Sequence, residues 1–231
     1  MNGNIIQIDE ATWRIEDKGV RFFLLAGTEK ALLIDSGMTI HNALEIASSL
    51  TDLPVSLLNT HADRDHIGSN SQFSSFYMHP DEEENYRRNE GTGMLLPIQE
   101  GYILDLGGRP LEIIHLPGHT PGSIAILDIR RRVLISGDPV QENGRIFMFG
   151  KHRNMKQYVR SLEKLSGLTE RFDMLWPSHA AFPISPELIS KLHDGALSIL
   201  SGQVPGKAEE MFSNPIMAYD LGFDVLLCDP A

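Results

Sequence analysis

Four short apolar runs in this chain each end on a histidine or an aspartate, and any fold it adopts must account for all four ends. VSLLN runs into THADRDHIG, which places His61, Asp63, Asp65 and His66 within six positions. LEIIHLPGHTPGS carries His119 between two Pro-Gly pairs, VLISGDP ends on Asp138, and FDMLWPSHA ends on His179. Two imidazoles and two carboxylates projected from one loop are an inventory for holding a divalent cation, and the Pro-Gly pairs can fix an unusual backbone that presents His119 rigidly. One such loop can also be a solvated turn or a helix start. A lone histidine after a strand is more often a satisfied surface or core residue than a ligand. Four separate strand ends that each deliver His or Asp are poorly explained in that way.

The rest of the pattern sets the architecture. IIQID, TWRIE, VRFFLLAG and KALLID are alternating or apolar runs separated by turn signals and predict a meander of strands, and HNALEIASSL has helical spacing. Further helices are predicted near 80–89 and 154–165, and strands near 102–105, 111–115, 123–128 and 132–136. SPELISKLHDGALSILSGQ opens with a Ser-Pro-Glu start signal and continues as an amphipathic helix. Strands come in groups with helices between and after them, which favours an α/β sandwich of mixed sheets over a doubly wound parallel sheet. At 231 residues a single domain over 1–231 is expected.

Charge and cysteine usage narrow the function. A formal net charge of −11 opposes a broad contact with nucleic acid, whose affinity rests on Lys and Arg. The single cysteine, Cys228, excludes paired-thiol redox chemistry. The opening MNGNIIQIDEATWRIED has no basic segment followed by a long apolar one, and no run reaches the roughly 18 apolar residues of a membrane span. The expectation is a cytoplasmic protein acting on a small molecule, without nucleic-acid or membrane partners; a homodimer is left open.

Taken together, LLIDSG with Asp35, THADRDHIG, HLPGHTPG, SGDP and PSHA resemble the metallo-β-lactamase superfamily, whose signature is H-x-H-x-D-H on one loop followed by separate His, Asp and His ligands. The resemblance implies a four-layer αβ/βα sandwich, two mixed β-sheets flanked by helices, with a dinuclear metal cleft along one edge. By motif position His61, Asp63 and His119 would hold one ion, Asp65, His66 and His179 the other, and Asp138 would bridge them. Asp35 would hold the ligand loop through hydrogen bonds. Asp63 departs from the family pattern, which has histidine there. A carboxylate adds hard oxygen character, so zinc is the default ion and iron or manganese is better tolerated than by an all-histidine site.

Two cations a few ångströms apart bring the pKa of a shared water toward about 7. The implied activity is hydrolysis of a small ester, thiolester, lactone or phosphodiester by metal-held hydroxide, with Asp65 as the catalytic carboxylate that orients the water and exchanges its proton. The segment after Asp138, DPVQENGRIFMFGKHRN, resembles the substrate loop of glyoxalase II-type thiolester hydrolases, making Arg145, Phe147, Met148 and Phe149 candidate pocket residues. GRIFMF reads equally well as a buried strand. The C-terminal helical region with basic glutathione-binding residues that such hydrolases carry has no counterpart in the helix and acidic tail here. Asp63 also suggests an alternative, a diiron oxidoreductase similar to flavodiiron proteins, which carry a glutamate at that place. A non-catalytic metal-binding module is the third reading.

Overall fold

The computed structural model describes residues 3–230. Strands β1 (Asn4–Asp9), β2 (Thr12–Asp17), β3 (Val20–Ala26) and β4 (Ala31–Ile34) form the antiparallel meander that their turn-separated runs predict. After helix α1 (Ala43–Leu50), strands β5 (Val55–Leu58), β6 (Ser75–Met78) and β7 (Met94–Pro97) continue the sheet in parallel, with helix α2 (Glu83–Arg88) before the last. The product is a seven-stranded mixed sheet in sequential order.

β3 is buried at every position, as a strand is when both faces of its sheet are covered. Phe22 and Leu24 turn toward Ile46 and Ala47 of α1 and Tyr86 of α2. Phe23 and Leu25 turn the other way, toward the second sheet. That sheet contains β8 (Ile103–Asp105), β9 (Pro110–His115), β10 (Ile124–Asp128), β11 (Val133–Gly137) and β13 (Met174–Pro177), ordered β13-β11-β10-β9-β8, with only β11 and β13 parallel. The alternation repeats in β10: Ile124 and Ile126 pack toward the first sheet, while Ala125 and Leu127 face helices α3 (Met155–Ser166) and α4 (Leu188–Leu200). Helix, sheet, sheet, helix is therefore the four-layer order expected. Each fully buried Leu, Ile or Phe contributes about 1.5–3 kcal/mol to these interfaces.

A third sheet adds to the two expected. Past α4 the chain forms β14 (Lys207–Met211), β15 (Asn214–Asp220) and β16 (Val225–Cys228), and β16 pairs in parallel with β12 (Arg145–Met148), giving the order β12-β16-β15-β14. Its narrow apolar face holds Ile216, Ala218 and Leu227, with Phe147 and Phe149 against them. KAEEM and NPIMAYD carry too few apolar positions to announce strands, because only this one face is covered. Among the described residues no helix is long and apolar enough to cross a membrane.

Asp224, at the entry to β16, is 3% exposed. Its Oδ1 accepts hydrogen bonds from Gly144 N and Val225 N, while the buried Oδ2 has no partner. Burial pushes its pKa up to about 7 against those two backbone donors, with Glu142 adding to the rise. A carboxyl raised on folding favours the folded state in full below about pH 4, and that contribution is lost as pH rises through about 7. Asp224→Asn is uncharged at every pH and is expected to be the more stable protein at pH 8, by up to about 4 kcal/mol, with the difference shrinking toward pH 4. Urea titrations at the two pH values check this; equal differences at both would remove Asp224 as the source.

Candidate metal centre

The four strand ends converge on one cavity. His61, Asp63, Asp65 and His66 follow β5, His119 follows β9, Asp138 follows β11 directly and His179 lies just past β13. Gly118 has φ +136°, and a Cβ there would meet the backbone N of Tyr158 at 2.3 Å, so only glycine lets the His119 loop lie this close to α3. Asn154 fastens the same junction: its side chain accepts from Gln157 N as a helix cap, and its N–H donates to Gly118 O at 2.8 Å.

Hydrogen bonds behind the imidazoles decide which nitrogen faces the cavity. Asp35, held at φ +64°, accepts from Thr60 N at 2.7 Å, Thr60 Oγ1 at 2.8 Å and His66 Nδ1 at 2.8 Å. These three bonds offset the cost of a left-handed backbone at a non-glycine residue. Since the Thr60 hydroxyl donates to Asp35, it accepts from His61 Nδ1, 3.0 Å away. His179 Nδ1 donates to Gly19 O at 2.8 Å. In all three rings Nδ1 is committed to an oxygen, which leaves Nε2 to the cavity.

There the nitrogens meet carboxylates at the spacing of a coordination shell. Asp138 Oδ1 lies 3.1 Å from His66 Nε2 and 3.3 Å from His179 Nε2, and Asp65 Oδ2 lies 3.7 and 3.2 Å from the same atoms. Asp138 Oδ2 lies 3.8 Å from His61 Nε2 and 3.5 Å from His119 Nε2, and Asp63 Oδ2 lies 3.5 Å from each of those two. Ligand atoms about 2.0–2.1 Å from one tetrahedral ion stand about 3.3–3.4 Å apart. The two oxygens of Asp138 thus address two separate groups. The Nε2 atoms of His61, His66 and His119 and Oδ1 of Asp138 are buried without a hydrogen-bond partner, as metal-ligating atoms are and as an ordinary polar cluster does not tolerate.

Protonation follows from the same contacts. Burial alone would lower His179, but Asp138 and Asp65 raise it to about 10, and Asp138 and Asp35 likewise lift His66 well above its usual value. His119 goes the other way, to about 4, through burial and the Arg153 guanidinium. A cation entering beside His66 and His179 displaces protons, so metal affinity should rise with pH.

Three residues of this neighbourhood escape sequence reading. Arg153 pairs with Asp63 Oδ2, and Asn85 donates to Asp63 Oδ1 at 3.1 Å. Burial would raise the Asp63 carboxyl, but Arg153, with His119 and His61, holds it well below the usual carboxylate range. Glu82, fully buried, accepts from Ala62 N at 2.9 Å and from Gly122 N at 2.7 Å, so one carboxylate ties the His61 loop to the His119 loop.

The expected substrate residues divide. Phe147 lines a cavity of about 620 Å³ beside Asp63 and Asp65, together with Phe149, Arg153 and Phe212. Arg145 borders a smaller one of about 300 Å³ next to Asp138 and His179, with its guanidinium 3.1 Å from Glu209. Met148 does not reach either: strand alternation in β12 turns it, with Ile146, into the core against α3 and α4. Phe212, in the β14–β15 turn and 76% exposed, completes an aromatic edge: its ring centroid lies 6.2 Å from that of Phe147, which in turn lies 5.5 Å from that of Phe149.

Comparison with known proteins gives a consistent result. Residues 17–172 match the family model described as the metallo-beta-lactamase superfamily. The acyl-coenzyme A thioesterase MBLAC2 of Homo sapiens is 26% identical over 200 residues, spanning 68% of this chain and 71% of that protein. A hydroxyacylglutathione hydrolase of Rippkaea orientalis is 27% identical over 237 residues, 90% of each chain. Among solved structures, a metallo-beta-lactamase from Pontibacter korlensis superposes with a TM-score of 0.70 over 84% of this chain and 99% of its own at 16% identity, a likeness of fold.

Proposed function

The chain belongs to the metallo-beta-lactamase superfamily, and from that membership we propose that it is a dinuclear metal-dependent hydrolase of small thiolesters with an apolar acyl group. The observation that carries the dinuclear part is Asp138, whose two oxygens each face a different pair of imidazole Nε2 atoms. In this reading His61, Asp63, His119 and Asp138 would hold one ion, and Asp65, His66, His179 and Asp138 the other. Zinc is the default for this donor set, and the Asp63 carboxylate widens it toward iron or manganese. Bound there, the ions supply water activation at neutral pH and Lewis-acid polarisation of the scissile carbonyl.

The protein's own groups do the rest. Asp65, with Oδ2 turned to the cavity near His179, takes the proton of the attacking water and returns it to the leaving thiolate. Arg153 offsets the charge that Asp63 adds. Phe147, Phe149 and Phe212 receive the acyl group and keep water from it. The thiolester class rests on the activities for which the thioesterase and hydroxyacylglutathione hydrolase relatives are named, and the apolar acyl part on this aromatic edge.

The test is a panel of coenzyme A and glutathione thiolesters of graded acyl length, lactones, phosphodiesters and a β-lactam, assayed on metal-supplemented protein with and without chelator. Chelator-sensitive thiolester turnover favouring longer acyl chains is expected. Each buried methylene contributes about 0.8 kcal/mol, so Phe212→Ser should cost long-chain substrates about tenfold in kcat/KM and spare acetyl thiolesters. Turnover confined to another bond class would overturn the substrate assignment.

A further inference from the structure

On the other side of Glu82 from the central cluster, a second group of ligating side chains gathers at the ends of β6 and β9. His79 and His115 stack almost parallel, centroids 4.0 Å apart at 7°. Asp81 follows His79 by two residues, and one ligand atom from each of His79, Asp81 and His115 lies within 4.8 Å of the other two. We propose that these three residues form a peripheral site for a divalent transition-metal ion of the zinc or nickel kind, separate from the catalytic cluster.

The hydrogen bonds place a lone pair on Nδ1 of each ring, and because stacked rings hold those lone pairs in parallel planes, an ion shared by both requires one ring to turn out of the stack. His115 Nε2 lies 2.9 Å from Pro121 O, which can only accept, so Nε2 carries the proton and Nδ1 keeps its lone pair. His79 Nδ1 accepts a long 3.3 Å bond from Asp81 N, so its lone pair is there too, and Asp81 Oδ2 is 3.7 Å away. Two stacked imidazolium ions about 4 Å apart would repel by about 4 kcal/mol at an effective dielectric of 20, so the two rings do not both carry a charge. Burial and the neighbouring His115 lower His79 accordingly, against the pull of Asp81, Glu82 and Glu100. Lys164, bonded to Glu100 at 2.9 Å and to His115 O, and Arg160 are the cations beside His115. Two neutral imidazoles and one carboxylate leave open coordination positions and suit borderline metals over calcium or magnesium.

The position gives the site a consequence. Asp81 adjoins Glu82, and His115 bonds to Pro121, whose neighbour Gly122 donates to Glu82. An ion across His79, Asp81 and His115 therefore fastens the ends of β6 and β9 next to Glu82, whose own hydrogen bonds to Ala62 and Gly122 hold the two loops with or without it.

Equilibrium dialysis of the whole protein against rising free Zn²⁺, repeated with Ni²⁺, tests this. Saturating content of the parent should exceed that of His115→Gln and of Asp81→Asn by about one ion, with thiolester turnover in both variants within about twofold of the parent. Asp81 is 59% exposed on its side chain, so its replacement leaves folding intact. His119→Ala should lose central metal yet keep the ion that His115→Gln removes, which separates this site from the proposed catalytic one. Equal saturation of parent and both peripheral variants would overturn the proposal, as would an extra ion that survives both substitutions.

Discussion

Asp138→Ala is expected to strip the protein of most of its bound metal and to lower kcat/KM by on the order of 10³-fold or more. Asp138 is 7% exposed and is the one residue shared by both groups of ligands, at 3.1 and 3.3 Å from His66 and His179 and 3.8 and 3.5 Å from His61 and His119. Its removal leaves each group a ligand short and brings like-charged ions together with no anion between them. Asp138→Asn is the sharper variant, because it keeps the shape but turns one oxygen into an amide nitrogen that cannot bind metal. It should retain about one ion per chain, where the alanine variant retains less. Metal analysis beside steady-state kinetics decides: full metal content in both variants would show that Asp138 does not bridge.

The loops that meet at the candidate metal centre were legible in the sequence because strand ends are. A short apolar run bounded by turn residues marks a strand, and a His or Asp just past it lies at the end of the sheet; VSLL, VLISG and MLWP are all strands with the polar residue beyond. Asp35 was legible for the same reason, at the end of ALLI. Arg153 was not. In KHRN it reads as a solvated charge, and its partner Asp63 lies 90 residues earlier. Glu82 belongs to the acidic run DEEE, which reads as an exposed helix start, yet it is fully buried with two backbone donors.

Face assignment was the other obstacle. GRIFMF is both things the sequence allowed, a strand and a pocket wall, and the two-residue period divides it: Ile146 and Met148 go to the core and Phe147 to the cavity. Which parity faces inward depends on β16, a strand 80 residues later that pairs Phe147 with Leu227. Local pattern carries no information about that partner. The same holds for Phe212, whose turn is brought to the cavity only by the sheet that β12 and the C-terminal strands build together.

Asp65→Asn is expected to lower kcat by about 10²–10⁴-fold, the usual contribution of a positioned proton acceptor, with KM changed much less. Asparagine keeps an oxygen where Asp65 Oδ2 now stands, 3.2 Å from His179 Nε2, so metal can still be held, but an amide does not take up a proton at neutral pH. Metal content near that of the parent, combined with the fall in kcat, separates proton transfer from simple loss of a ligand; Asp65→Ala should lose both. The same pair of proteins distinguishes hydrolysis from the diiron redox chemistry that a carboxylate at Asp63 would also suit. A hydrolase needs no electron donor, so the parent should cleave thiolesters alone and consume no oxygen when a reductant is added. Arg153 favours this outcome, since its charge offsets the anionic ligand that would otherwise stabilise a higher oxidation state. Reductant-dependent oxygen uptake without hydrolysis, undiminished in Asp65→Asn, would replace the hydrolase with an oxidoreductase built on the same ligands.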